Sequence, residues 1–168
     1  MAVLTAIALV IHVVESLFPP LFIPGAKMGL SNIVTLITLC LMGPVDALLL
    51  VVVRTTVGAM FAGGFSTLIY SLPAGLISAL ISALLANTVF PRISLVAVSV
   101  VAATVHNMAQ NLLYCLVTGT PRMLLYLPYL ALAGVVAGFI TGYTAYRIMK
   151  HIPETVFKNA VGTIAKQS

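Results

Sequence analysis

Long apolar runs, separated by short stretches that carry proline, glycine or charge, fill most of the chain. These runs predict six helices at about 1–17, 29–42, 45–62, 67–86, 94–118 and 122–148. Some runs are shorter than the ~20 residues that cross a bilayer, and tilt, local thinning or burial within the bundle could accommodate them. We therefore predict an all-α membrane protein in which residues 1–150 form a six-transmembrane-helix bundle. Residues 151–168 are predicted to be a cytoplasmic or interfacial tail.

Composition supports a membrane protein. Only 7% of the 168 residues are charged, and the mean hydropathy is +1.18, whereas a soluble domain carries about 25% charged residues. The net charge of +5 is small, and no interleaving of basic and aromatic residues indicates nucleic-acid binding. The first apolar run follows the N-terminus without a basic segment, which favours a retained helix over a cleaved signal peptide.

Lysine and arginine positions indicate the orientation in the membrane. With both termini in the cytoplasm, the cytoplasmic segments carry Arg92, Arg147, Lys150, Lys158 and Lys166. The outer segments then carry only Lys27 and Arg122, while Arg54 lies inside the third predicted helix. The chain is therefore predicted to be a multi-pass protein with both termini cytoplasmic.

In this orientation, polar side chains from all six predicted helices lie at one depth, toward the outer face. Ionisable and amide groups are costly in apolar helices, and so they point to a function. His106/Gln110 and Asn107/Asn111 are each spaced i,i+4, which predicts one stripe of four hydrogen-bonding side chains. We interpret the set as a substrate-binding pocket formed by Glu15, Lys27, Asn32, Arg54, Tyr70, His106, Asn107, Gln110 and Tyr126.

Each group in this pocket has a functional and a structural interpretation. Lys27 and Arg54 could hold an anionic group, the amides could orient the ligand, and the tyrosines could stack on a flat or apolar portion. The proline-rich stretch 18–25 could cover the pocket as a lid, or it could rest among the lipid headgroups. Arg54 could instead pair with Glu15, and the intramembrane His106 could simply bond a neighbouring carbonyl group.

Small residues recur at helical spacing in several predicted helices. Ala2 and Ala6 lie one turn apart at the start of the first helix. Such residues let membrane helices approach each other closely. Two interpretations follow: these alanines pack inside the bundle, or they form a docking strip for another membrane subunit.

The chain carries no recognisable catalytic motif. It lacks a Walker A sequence, HExxH and GxSxG, and Asp46 is the only aspartate, so no aspartate-rich pair of magnesium motifs is present. Cys40 and Cys115 lie in apolar runs and are expected to be packed thiols. A two-histidine metal site formed by His12 and His106 is the alternative to a chain without a metal ion. We therefore expect no catalytic residue, no metal ion and no cofactor.

Several stretches resemble a known family. They are Glu15-Ser-Leu-Phe-Pro-Pro, Pro24-Gly-Ala-Lys-Met-Gly-Leu-Ser-Asn-Ile-Val-Thr, Tyr70-Ser-Leu-Pro-Ala-Gly and His106-Asn-Met-Ala-Gln. Together they resemble the Gx transporter family, which is also labelled heptaprenyl diphosphate synthase component I, over the chain to about residue 148. That family is similar to the substrate-binding S-components of energy-coupling factor (ECF) transporters.

The resemblance implies an S-component-like subunit of an importer in the bacterial cytoplasmic membrane, with a small vitamin-like or isoprenoid-related substrate. It also implies that Ala2 and Ala6 begin an AxxxA face that docks onto a transmembrane coupling subunit driven by ABC ATPases. The third position of that pattern is Val10, which departs from it.

Two other functions stay open. One is an accessory membrane subunit of isoprenoid or quinone synthesis, and the other is a membrane partner of an extracytoplasmic flavin or redox protein. The synthase label conflicts with the missing acidic metal ligands, so we expect a protein that is not catalytic by itself.

Overall fold

The structure is a computed structural model that describes residues 1–17, 29–89 and 92–153, apart from the side chains of residues 16, 17 and 62–64. Lys27, the stretch 18–25 and the tail beyond residue 153 lie outside the described residues. The described α-helices are α1 (Ala2–Leu17), α2 (Ser31–Leu41), α3 (Pro44–Gly58), α4 (Gly64–Thr88), α5 (Leu95–Thr118) and α6 (Leu127–His151). A π-helical turn, Ala59–Gly63, connects α3 to α4, and a 3-10 helix, Pro121–Tyr126, precedes α6.

Every helix predicted from the apolar runs has a counterpart in the described residues, and no strand is found among them. Four segments are long and apolar enough to cross a membrane: Pro44–Phe61, Phe65–Thr88, Leu95–Thr118 and Pro121–His151. Ala2–Glu15 and Ser31–Leu41 are apolar but shorter. The predicted all-α membrane class is confirmed, whereas the number of membrane crossings and the orientation stay predictions.

Helix ends follow the local sequence. Gly43, with a φ of 116°, precedes Pro44 at the start of α3, where the missing N–H of a proline costs nothing. The Ser94 hydroxyl accepts a hydrogen bond from the backbone N–H of Ala97 and caps the start of α5. Gly119 ends α5 in the left-handed conformation, with a φ of 64°, which a glycine adopts without steric cost.

α2 forms the centre of the bundle. Nine of its eleven residues are buried, and it packs against α1, α3, α4 and α6. Glu15, near the end of α1, bonds Gly29 just before α2, and Arg54, near the end of α3, bonds Asn32 at the start of α2. The end of α1, the start of α2 and the end of α3 therefore lie together, and we call this the α1–α2 end of the bundle. The central helix α2 thus begins beside the predicted pocket.

α5 and α6 form the most extensive helix pair in the described structure. A Cβ built on Gly134 would lie 2.6 Å from the Cα of Thr104, and one on Gly138 would lie 2.5 Å from the Cα of Val100. The Ser99 and Thr141 hydroxyls are 2.9 Å apart across the same interface. The missing side chains let the two backbones touch, which is how small residues hold membrane helices together.

The outward faces of the bundle are apolar. Large side chains such as Phe61, Leu116 and Leu125 are more than 70% exposed. A water-soluble domain of this size would cover such a surface with charged residues. Lipid is the solvent that these faces fit.

Candidate functional site

Arg54 is a cation buried in the interior of the bundle. It lies on α3, one helical turn before Gly58, and only 3% of its surface is exposed. Its Nη2 donates a hydrogen bond of 2.8 Å to Oδ1 of Asn32, at the start of α2. Its Nε and Nη1 are buried and have no hydrogen-bond partner among the residues that the structure describes. Unused donors on a buried charge are expensive, so their position identifies a candidate binding point.

Glu15 lies near the end of α1 and acts on two neighbours. Its Oε1 accepts a hydrogen bond from the backbone N–H of Gly29, which has a φ of 68° and precedes α2. Its carboxylate also attracts the guanidinium of Arg54 electrostatically. The carboxylate therefore ties α1 to the beginning of α2 while it partly balances the buried cation.

α3, α4 and α5 converge at Gly75. A Cβ on Gly75 would lie 3.0 Å from Cγ1 of Val51 on α3 and 4.0 Å from Cε1 of His106 on α5. On α3, Arg54 lies about one turn beyond Val51 toward the α1–α2 end. On α5, Gln110 lies about one turn beyond His106 in the same direction. Gln110 is only 5% exposed, and its Oε1 has no hydrogen-bond partner within the described ranges. An unused acceptor thus lies at the level of the unused donors of Arg54.

Asn107 and Asn111 face α6 and the 3-10 helix that precedes it, rather than Arg54. Nδ2 of Asn107 donates to the carbonyl oxygen of Leu130 at 3.3 Å, and Nδ2 of Asn111 donates to that of Met123 at 3.0 Å. The expected single stripe is therefore divided, because adjacent residues on a helix are rotated by about 100°. The asparagines fasten α6 and the 3-10 helix to α5, while a substrate-binding role for Asn107 stays a prediction.

The predicted tyrosines lie in two different settings. The ring of Tyr70 on α4 makes an edge-to-face contact with that of Tyr114 on α5, with the ring centroids 5.3 Å apart. Tyr126, at the end of the 3-10 helix, is 41% exposed. The structure therefore does not bring Tyr126 into the interior with Arg54. Lys27 is the one predicted pocket residue that lies outside the described residues.

A small cavity lies between α2, α3, α4 and α5. Its volume of about 20 Å³ is room for roughly one water molecule. Asn32 lines it and also accepts the hydrogen bond from Arg54, so the cavity adjoins the buried cation. The rest of its wall consists of apolar groups and of the hydroxyl-bearing residues Thr35, Ser78, Ser82 and Ser99.

These four hydroxyl residues are missing from the set predicted from the sequence. Ser78 and Ser82 are spaced i,i+4 together with Ala74 and Ala86, which is equally typical of a helix-packing face. No local signal distinguishes a serine that packs from a serine that lines a cavity. Within the described ranges, no three His, Cys, Asp or Glu side chains are grouped as metal ligands would be.

The predicted docking alanines lie on the outside. Ala2 and Ala6 are exposed, together with Val3 at 72% and Val10 at 62%. Ala8, on the opposite face of α1, is completely buried. The alanines therefore do not pack inside the bundle, and their face is available to lipid or to another membrane helix.

Comparison with known proteins places the chain in a family. A family model described as heptaprenyl diphosphate synthase component I matches residues 4–148. The comparisons with the curated proteins and with the solved structures give no match. The family match covers all the described helices from α1 to most of α6. The chain therefore belongs to the heptaprenyl diphosphate synthase component I family.

Proposed function

We propose that this protein is the substrate-binding subunit of a membrane importer, similar to an S-component, and that it captures a small anionic molecule. Arg54 carries the proposal. Its guanidinium is almost completely buried, and two of its nitrogen atoms have no hydrogen-bond partner in the described part of the chain. A ligand that accepts hydrogen bonds from these atoms would remove the cost of burying them.

The groups around Arg54 suit capture rather than chemistry. Asn32 fixes one end of the guanidinium, Glu15 balances its charge, and Gln110 offers an acceptor at a similar depth. None of these groups is arranged as a nucleophile with an adjacent base. We therefore assign them to binding and orientation, and Lys27 stays a predicted additional contact for the anion.

The exposed small-residue face of α1 supports a membrane partner. Ala2 and Ala6 leave a shallow apolar strip that a second helix could approach closely. The chain carries no ATP-binding motif, so import would need a transmembrane coupling subunit and ABC ATPases. In this proposal both termini are cytoplasmic, and the α1–α2 end faces the exterior of a bacterial cell.

The family description favours a second candidate. A component of heptaprenyl diphosphate synthase would be an accessory membrane subunit that presents a prenyl diphosphate to a soluble enzyme. Arg54 would also suit a diphosphate group, because a guanidinium binds phosphate well. The two candidates differ in their partner rather than in the charge of their ligand.

Purification from native membranes distinguishes the candidates. Full-length protein isolated in mild detergent should carry a coupling subunit and ATPases, and Ala6→Leu should lose them because the larger side chain keeps the helices apart. Val136→Leu is the matched control, since Val136 is 61% exposed on α6. A soluble prenyltransferase in place of the ATPases would support the accessory subunit. An Ala6→Leu complex as complete as that of Val136→Leu would contradict the docking face.

A further inference from the structure

The cavity beside Asn32 has an unusual hydrogen-bonding character. A hydroxyl group has one donor and two acceptor lone pairs. Ser78 donates to the carbonyl oxygen of Ala102 at 2.8 Å, and Ser82 donates to that of Ser78 at 3.0 Å. Thr35 donates to the carbonyl oxygen of Ser31 at 3.4 Å. These three hydroxyls use their only protons on backbone carbonyls.

The fourth hydroxyl, that of Ser99, contacts the hydroxyl of Thr141 on α6. Thr141 donates to the carbonyl oxygen of Gly138 at 3.2 Å. In the 2.9 Å contact between Ser99 and Thr141, either hydroxyl can be the donor. Three of the four hydroxyl residues that line the cavity therefore have their protons engaged by backbone carbonyls, so these three hydroxyls can only accept further hydrogen bonds.

We infer that this cavity binds a hydroxyl or amino group of the ligand, so the substrate is a small acid that also carries such a donor. This inference rests on the proposed function. Arg54 supplies unused donors for the acid group, and the hydroxyl oxygens accept from the second group. Asn32 is common to both, because it contacts Arg54 and lines the cavity.

The dimensions restrict the ligand further. Thr35 lies three residues deeper than Asn32 on α2, which is about 4.5 Å along the helix axis. The acid and the donor are therefore separated by a spacer of a few atoms. The cavity volume of about 20 Å³ admits a single water-sized group. A flat ring or a prenyl chain is too large for it in this conformation.

Three acids of equal length test the inference: pentanoate, 4-hydroxybutyrate and 4-aminobutyrate. They differ only in a terminal methyl, hydroxyl or ammonium group. Binding to the full-length protein in detergent is measured by calorimetry and by the shift of the unfolding temperature. We expect 4-hydroxybutyrate and 4-aminobutyrate to bind at least about 10-fold more tightly than pentanoate. The methyl group of pentanoate cannot donate a hydrogen bond, so it would leave the acceptors of the cavity without a partner.

Two valine variants on α2 provide the matched comparison. Thr35→Val removes the hydroxyl of a residue that lines the cavity, whereas Thr38→Val removes a buried hydroxyl that donates to the carbonyl oxygen of Val34 and belongs to no lining residue. Thr35→Val should reduce the preference to about 3-fold or less, and Thr38→Val should leave it unchanged. Ser82→Ala serves as a second cavity variant if Thr35→Val does not fold.

The possible results separate the inference from the proposed function. If all three acids bind equally and Arg54→Gln abolishes that binding, the inference is overturned, since the cavity would then hold only water. The same result would still support an anion site at Arg54. Failure of all three acids to bind would also overturn the inference. The proposed function would then be decided by the natural ligand that co-purifies with the protein.

Discussion

Gly138→Ala tests how closely the helices that carry the cavity must pack. The new Cβ would lie 2.5 Å from the Cα of Val100 and 2.8 Å from the carbonyl oxygen of Ser99. Both are backbone atoms that cannot rotate away, so α5 and α6 must separate. Separation also weakens the contact between Ser99 and Thr141. The substitution therefore disturbs both the helix pair and one wall of the cavity.

The expected loss of stability follows from three terms. Overpacking costs about 1–3 kcal/mol, and the weakened hydrogen bond costs about 0.5–1.5 kcal/mol. The better helix propensity of alanine returns about 1 kcal/mol. The net destabilisation is about 0.5–3.5 kcal/mol, which lowers the unfolding temperature by roughly 1–14 °C for a chain of this size.

A thiol-reactive fluorogenic dye measures this unfolding, because both cysteines are buried and free. Val136→Ile is the control, since it adds one methylene to an exposed position on the same helix. We expect the control to unfold at the wild-type temperature. A Gly138→Ala protein as stable as the control would refute the close backbone contact between α5 and α6.

Two further substitutions follow from the site. Asn111→Leu removes the hydrogen bond to Met123 and should cost about 1–2 kcal/mol; faster hydrogen exchange in the 3-10 helix would confirm it, and unchanged exchange would contradict it. Glu15→Gln keeps an acceptor for Gly29 but removes the charge beside Arg54. It should strengthen binding of the co-purified anion by about 5-fold, as measured by calorimetry, and weaker binding would show that Glu15 itself contacts the ligand.

The helices could be predicted well because their signal is local. Gly43-Pro44 marks where α3 begins, and Ser94 and Gly119 mark where α5 begins and ends. The π-helical turn Ala59–Gly63 was not predicted. It follows Gly58, where a Cβ would overlap the ring of His12 on α1. This contact between α1 and α3 cannot be predicted from the spacing of apolar residues in either helix.

The candidate site was predictable only in part. Helix orientation was sufficient to bring Arg54 near Asn32 and Glu15, because it fixes depth along the bundle. It does not fix rotation about each helix axis, and so the i,i+4 spacing places Asn107 in one stripe with His106, although Asn107 faces α6. The engaged hydroxyl protons of the cavity depend on tertiary contacts and have no sequence signature.

Native mass spectrometry of gently purified protein tests the central claim most directly, namely that Arg54 binds an anionic small molecule. Wild-type protein and the control Arg92→Gln, which changes an exposed arginine, should retain one small molecule per chain. Arg54→Gln should retain at least about 10-fold less, because each charge-assisted hydrogen bond contributes about 1.5–3 kcal/mol. Equal retention by Arg54→Gln and Arg92→Gln, or a wild-type protein without any bound molecule, would contradict the account.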